Sequence, residues 1–199
     1  MSVFSDDGKW APTVRDRLFE RRIVLVRGAL DDATATRAAA ELMTLDATGD
    51  DHVTLHLDAW GGTLEAAFAV MDVIDLLGVP VHVMCIGRAE GPAAGIIAVG
   101  SRRSCTPHAR FRLSDAEASM HGSAADLRTW AAHHLEQNRC FHARVADAVR
   151  RPVEEVAADC AAGCYLTAQE ALAYRLVDEV AAPRGSISPF PGRNVGFKP

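Results

Sequence analysis

Two glycine-bearing turns are where this sequence carries groups able to do chemistry: Ala59-Trp60-Gly61-Gly62-Thr63 and Gly87-Arg88-Ala89-Glu90-Gly91-Pro92. Each follows an apolar run that reads as a strand and precedes one that reads as a helix. A strand, glycines and a helix start can turn backbone N–H groups toward a ligand, the arrangement that stabilises an anion or the oxyanion of an acyl transfer. The same residues also suit a tight turn that needs glycine for its backbone alone. Neither segment has the G-x-G-x-x-G or P-loop pattern. At the second turn a nucleophile would stand just before the helix. Glu90, Gly91 and Pro92 offer no hydroxyl or thiol there. Pro92 suits a first helical position but has no N–H to donate.

Five cysteines are present: Cys85, Cys105, Cys140, Cys160 and Cys164. The odd number and the polar N-terminus, which lacks an apolar signal core, point to reduced thiols and a cytoplasmic setting. Cys160 and Cys164 could share a helix face, which invites a metal reading. A structural zinc site wants four Cys/His ligands from two close pairs. No second pair stands out, although His133 and His134 are available, so neither a metal nor another cofactor is expected.

The elements that must position the turns alternate. Strand signals lie at Ile23–Val26, His52–Asp58, Val79–Ile86, Phe111–Leu113 and Leu176–Val180. In the second of these Val53, Leu55 and Leu57 share one face. Helical patterns cover Asp32–Leu45, Leu64–Leu77, Ala93–Val99, Asp126–Val149, Val153–Ala158 and Thr167–Tyr174. Short connections and right-handed crossovers turn such an order into an α/β fold with a mainly parallel sheet. Ligand sites in these folds form beyond the carboxyl ends of the strands, where both turns fall. Residues 1–16 read as a flexible lead-in, 17–182 as the domain, and 183–199, rich in proline and glycine, as a flexible tail. Arg150-Arg151-Pro152 reads as a solvated helix end.

Composition excludes some functions. Over 199 residues, 49% are hydrophobic and 24% charged, an ordinary globular balance with material for a real core. The net charge of −5 argues against a nucleic-acid binder that relies on a broad basic surface. No apolar run reaches the ~18 residues of a membrane span.

Several segments in one order resemble the proteolytic subunit of the Clp protease, a family within the wider crotonase-like fold. Asp16-Arg17-Leu18-Phe19-Glu20-Arg21-Arg22-Ile23-Val24-Leu25 is similar to the family's lead into its first strand. Asp58-Ala59-Trp60-Gly61-Gly62-Thr63 is similar to its N-S-P-G-G-S/V turn. Gly87-Arg88-Ala89-Glu90-Gly91-Pro92-Ala93-Ala94 stands against G-Q-A-A-S-M-G-A, where the serine is the nucleophile. Ala109-Arg110-Phe111-Arg112-Leu113-Ser114-Asp115 stands against S-R-V-M-I-H-Q, where the histidine is the base. Tyr165-Leu166-Thr167-Ala168-Gln169-Glu170-Ala171 resembles F-L/M-S-A-x-E-A, and Tyr174-Arg175-Leu176-Val177-Asp178-Glu179-Val180 resembles Y-G-L-I/V-D-x-V. The match runs from about Val14 to Ala181. It implies a ClpP/crotonase-like fold: β-α units, a mainly parallel sheet and a long protruding helix, the handle.

The departures bear on function. Gly91 holds the nucleophile position, Ser114 the base position and Gly163 the acid position, so all three members of a Ser-His-Asp triad are replaced. Of the oxyanion and substrate-strand positions, Gly61 and Gly62 remain glycine, whereas Pro92 removes the second donor. The resemblance therefore implies a catalytically degenerate subunit, structural or regulatory, in a homo- or hetero-heptameric ring that can stack as a tetradecamer. Its implied partners are an active paralogous subunit, an AAA+ Clp ATPase and a peptide or unfolded protein, with no nucleic acid or membrane. A second reading relocates hydrolysis to Glu90, Ser114 and His121, with His108 and Asp115 also flanking the site. A third is a crotonase-like acyl-CoA enzyme with Glu90 as lone acid/base, which Pro92 again disfavours. Trp60 would either fill space or line the cleft. Trp130 would make either a subunit contact or a core contact.

Overall fold

The structure, a computed structural model, describes residues 12–181. Strand β1 (Ile23–Ala29), helix α2 (Asp32–Ala47), β2 (Val53–Trp60), α3 (Leu64–Leu76), β3 (Val81–Glu90) and α4 (Ala93–Ala98) follow a short leading helix, α1 (Pro12–Phe19). Then come β4 (Arg102–Cys105), β5 (Arg110–Arg112), α5 (Ala124–Val149), α6 (Val153–Ala162), β6 (Tyr165–Thr167), α7 (Ala168–Tyr174) and β7 (Glu179–Val180). The sheet order is β1-β2-β3-β4-β7, all parallel, and β5 and β6 branch from the far end of β3. This is the mixed α/β, mainly parallel architecture expected of the fold.

The alternation in β2 decides its register. Val53, Leu55, Leu57 and Ala59 are fully buried, and Thr54, His56 and Asp58 are only half-buried. A slip of one residue would exchange these faces. Helices α2, α3, α5 and α7 start at polar caps. Asp31 accepts from the Thr34 N–H at 2.8 Å, Thr63 from the Ala66 N–H at 3.1 Å, and Ser123 and Thr167 form reciprocal boxes with Asp126 and Glu170. Helix α4 carries glycine at 95 because α5 and α3 approach it closely there. A Cβ on Gly95 would stand 2.5 Å from Phe141 and 2.9 Å from the Met71 sulfur.

Strand β3 changes partners along its length. His82–Cys85 pair with β4, and Arg88–Glu90 pair with β5. Its register with β2 shifts between Leu57 and Ala59. The Asp58 carboxylate lies over this irregularity. It accepts from the Arg88 N–H at 3.2 Å and pairs with Arg27 at 3.4 Å. Gly87 makes room for it, since a Cβ there would stand 2.4 Å from Asp58 Oδ1.

Several elements differ from the sequence expectation. Residues 12–16, expected within a flexible lead-in, lie in α1, where Arg15 pairs with Glu41 of α2. The rest of that lead-in and the tail from 183 lie outside the described residues. Gly87-Arg88-Ala89-Glu90 continues β3 instead of turning, because its backbone pairs with β5, so the turn narrows to Gly91-Pro92. β4 and β6 carry no apolar alternation of their own and exist through their pairing partners. Among the described residues, no helix is long and apolar enough to cross a membrane.

Helix α5 is ~39 Å long at 1.5 Å per residue. Its second half, with Asn138, Phe141, His142, Val145, Ala146 and Val149, is buried. Its first half is exposed, with Leu135 at 66% and Leu127 at 39%. Trp130 stacks on His134 at 5.2 Å within that half and does not enter the core. Arg150 ends the helix in a left-handed conformation, and Pro152 precedes α6, as the sequence implied.

Candidate functional site

A cleft of about 440 Å³ opens beyond the ends of β2, β3 and β5. Three stretches line it: Trp60-Gly61-Gly62-Thr63, Glu90-Gly91-Pro92, and the chain from Arg112 through Ser114 and Asp115 to Glu117. Both glycine turns are thus brought to one place. Trp60 lines the cleft, and the Arg88 guanidinium stacks 3.9 Å over its ring. Gly61 and Gly62 adopt φ of +58° and +94°, a left-handed backbone in which side chains are strained. Gly62 has a second reason to be glycine: a Cβ would stand 2.1 Å from the Leu30 carbonyl oxygen.

Gly91 is buried at the end of β3 with φ +59°, and its N–H donates to the Arg112 carbonyl at 2.8 Å. A Cβ placed on Gly91 would point at the Ser114 hydroxyl, 3.2 Å away. The fold therefore brings the first position into tight contact with the second. A glycine and a serine occupy the two ends, so no side-chain nucleophile–base pair joins them. Pro92 caps α4 without an N–H, and only its carbonyl bonds, accepting from Gly95.

Gly163 closes α6 in a left-handed turn at φ +67°. A Cβ there would face the Arg112 guanidinium at 3.3 Å and not Ser114. Arg112 stands in register beside Glu90, lies 5.3 Å from the Tyr165 ring, and has a buried Nε with no hydrogen-bond partner among the described residues. Three carboxylates, Glu90, Asp115 and Glu117, share the cleft with this one guanidinium. The sequence reading passed over Arg112 and Glu117. The signal available for Arg112 was its place two residues before Ser114 at the end of a strand.

The relocated-chemistry residues are partly assembled. Glu90, Ser114 and Asp115 line the cleft. His121 is exposed and does not line it, and His108 is exposed near β5. His133 and His134 lie on the outer half of α5, apart from Cys160. Cys160 is buried and its thiol is pushed up to about 12, first by burial and then by the nearby Asp115 and Asp159. Cys164 is raised in the same direction by burial, Asp159 and Glu170. Asp115 reaches His142 Nε2 at 2.8 Å, a contact that sequence spacing did not suggest.

The sequence model of the Clp protease family matches residues 6–184. The chain belongs to the Clp protease family. It is 32% identical over 167 residues to the ATP-dependent Clp protease proteolytic subunit 2 of Thermobifida fusca (strain YX), an alignment covering 82% of each chain. It is 30% identical over 169 residues to proteolytic subunit 1 of the same organism, covering 83% of this chain and 76% of the relative. The ClpP/crotonase-like fold implied by the motifs agrees with this membership and with the mainly parallel sheet.

Proposed function

We propose that this chain is a catalytically degenerate Clp proteolytic subunit, acting as a structural or regulatory ring member or as a peptide-binding chamber. The observation that carries the reading is the facing pair at Gly91 and Ser114. The backbone keeps the approach between them, and the side chains supply no nucleophile activated by a base. Pro92 supports it, because an oxyanion hole that lacks one donor loses ~10²–10³ in rate. Gly163 supports it too, since its open side faces a cation in place of a base needing orientation.

The exposed first half of α5 and the exposed Leu76, Met43 and Tyr165 supply apolar surface for neighbouring subunits. Heptameric rings, alone or mixed with an active paralogue, single or stacked as a tetradecamer, would use such surface and would present a docking face to an AAA+ ATPase. The cleft would hold an extended peptide against the Gly61-Gly62 backbone without cutting it. No cofactor enters this function, and the proposed setting is the cytoplasm.

Native mass spectrometry of the full chain, alone and mixed with an intact proteolytic subunit, tests the proposal when run beside a fluorogenic peptide assay on the same samples. A seven- or fourteen-subunit particle without cleavage by the chain alone is expected. Steady cleavage by the chain alone would overturn the reading and would direct attention to Ser114 and Glu90.

A further inference from the structure

Asp115, His142 and Cys160 come from three separate elements: the irregular segment after β5, the buried half of α5, and the last turn of α6. One donor atom from each lies within 4.8 Å of the other two. His142 and Cys160 are buried, and Asp115 is exposed on the cleft side. A plain hydrogen bond from His142 Nε2 to Asp115 Oδ1 accounts for two of the three groups. It leaves unexplained a buried thiol set beside that pair.

We propose that Asp115, His142 and Cys160 form a binding site for Zn²⁺, with a water on the cleft side as fourth ligand.

The donor set selects the ion. One carboxylate oxygen, one imidazole nitrogen and one sulfur suit zinc, whereas calcium and magnesium take oxygen ligands. Three protein ligands with a fourth, solvent-facing position is a recurrent zinc arrangement. With bonds of ~2.0–2.3 Å, tetrahedral ligand atoms stand roughly 3.3–3.7 Å apart. The Asp115–His142 contact of 2.8 Å must therefore open slightly, and the sulfur already lies within 4.8 Å of both. Asp115 can move, because its side chain is 45% exposed.

The proton balance is simple. The S–H bond of Cys160 breaks, a metal–sulfur bond forms, and that proton leaves to solvent. The ring proton of His142 shifts from Nε2 to Nδ1, and the metal takes its place between the ring and Asp115. One thiolate and one carboxylate neutralise the ion. The inference stands apart from the proposed loss of peptidase activity and needs no turnover to test it.

The probe is Co²⁺, titrated into the metal-free full chain and followed by absorbance, with Zn²⁺ affinity read by competition against a chromophoric chelator. At one equivalent, a thiolate-to-cobalt charge-transfer band and the visible bands of a four-coordinate ion are expected. Cys160→Ser should abolish the charge-transfer band. His142→Asn and Asp115→Asn should weaken Zn²⁺ binding by at least roughly 10–100-fold, the loss seen even when a group one step outside a metal is disturbed. Cys164→Ser and Cys140→Ser should leave the band intact. Where Cys160→Ser does not fold, X-ray absorption of the cobalt-loaded wild-type chain should show one sulfur among oxygen and nitrogen ligands. Absence of the band at one equivalent, a band lost with Cys164→Ser or Cys140→Ser, or a sulfur count other than one would overturn the proposal.

Discussion

Rebuilding the triad tests the reading of the cleft most directly, and the structure says the obvious rebuild will be slow. The starting variant is Gly91→Ser with Ser114→His and Gly163→Asp. Position 91 has φ +59°, so a side chain there costs about 1–2 kcal/mol, and position 163 at φ +67° costs a comparable amount or less for aspartate. A domain stable by ~5–15 kcal/mol tolerates both. The introduced serine would lie against the introduced histidine, because a Cβ at 91 stands 3.2 Å from the Ser114 hydroxyl, and the histidine must shift by a few tenths of an ångström to fit. Two obstacles remain. Pro92 still supplies no N–H, which holds the rate down by ~10²–10³. Arg112 stands 3.3 Å from the Cβ position at 163 and will take the new carboxylate for itself, leaving the histidine without its orienting partner. Loss of that partner costs up to ~10⁴ in a serine protease triad. Adding Pro92→Ala should raise the rate by ~10²–10³, and adding Arg112→Met should raise it again. Hydrolysis of a fluorogenic peptide and labelling by a serine-directed phosphonate report both steps. The reasoning fails if the wild-type chain is labelled as fast as the triple variant, or if Pro92→Ala adds nothing to it.

Three further outcomes follow from the packing. Gly62→Ala should lower stability by about 2–5 kcal/mol, read as a fall in the urea midpoint, because the new methyl meets the Leu30 carbonyl at 2.1 Å in a left-handed backbone. Tyr174→Phe should cost about 1–3 kcal/mol by the same measurement, since the phenol donates to Asp159 at 2.7 Å. Cys85 should give the fold an alkaline limit. Burial, first of all, pushes its thiol from 9.0 up to about 12, so the unfolded chain loses that proton before the folded one does. Its contribution is complete below pH 9 and falls by ~1.4 kcal/mol per pH unit from there to about 12. Cys85→Ala should flatten the upper branch of the stability–pH curve relative to the wild type, and an unchanged branch would refute this.

The sequence made the apolar skeleton legible and the polar connections less so. The strand of alternating Val53, Leu55 and Leu57, the helix from Leu64, and the capped start at Asp31 all stand where period and caps put them. β4 escaped notice because Arg102-Arg103-Ser104-Cys105 has no apolar alternation. Its place comes from β3 on one side and from β7 on the other, where Arg103 clasps Asp178. From sequence the end of β3 reads as a turn, because Gly87 is a strand breaker. In the structure Gly87 is the gap that admits the Asp58 carboxylate. The same limit applies at the site. Motif order located Gly91, Ser114 and Gly62, but Arg112 facing Gly163, and Asp115 facing His142 and Cys160, depend on distances across the fold that one-dimensional spacing does not carry.

The two triad positions that carry glycine share a backbone property. Gly91 and Gly163 both sit in the left-handed region, and in each case a side chain would meet a polar neighbour at little more than 3 Å. A working nucleophile and acid would have to be held there against strain. Glycine relieves that strain by about 1–2 kcal/mol at a position like Gly91. Once the nucleophile is absent, the base and the second oxyanion donor have nothing to act on, so serine at 114 and proline at 92 carry no further catalytic penalty. Proline also fits the start of α4, where its φ is −55° and the missing N–H is not needed by the helix. Glycine at 91 and 163 and proline at 92 thus each suit the local backbone. The first half of α5 keeps Leu127 and Leu135 exposed. On the proposed reading, apolar surface beside a cleft without the Ser-His-Asp side chains is what a subunit serving assembly would show.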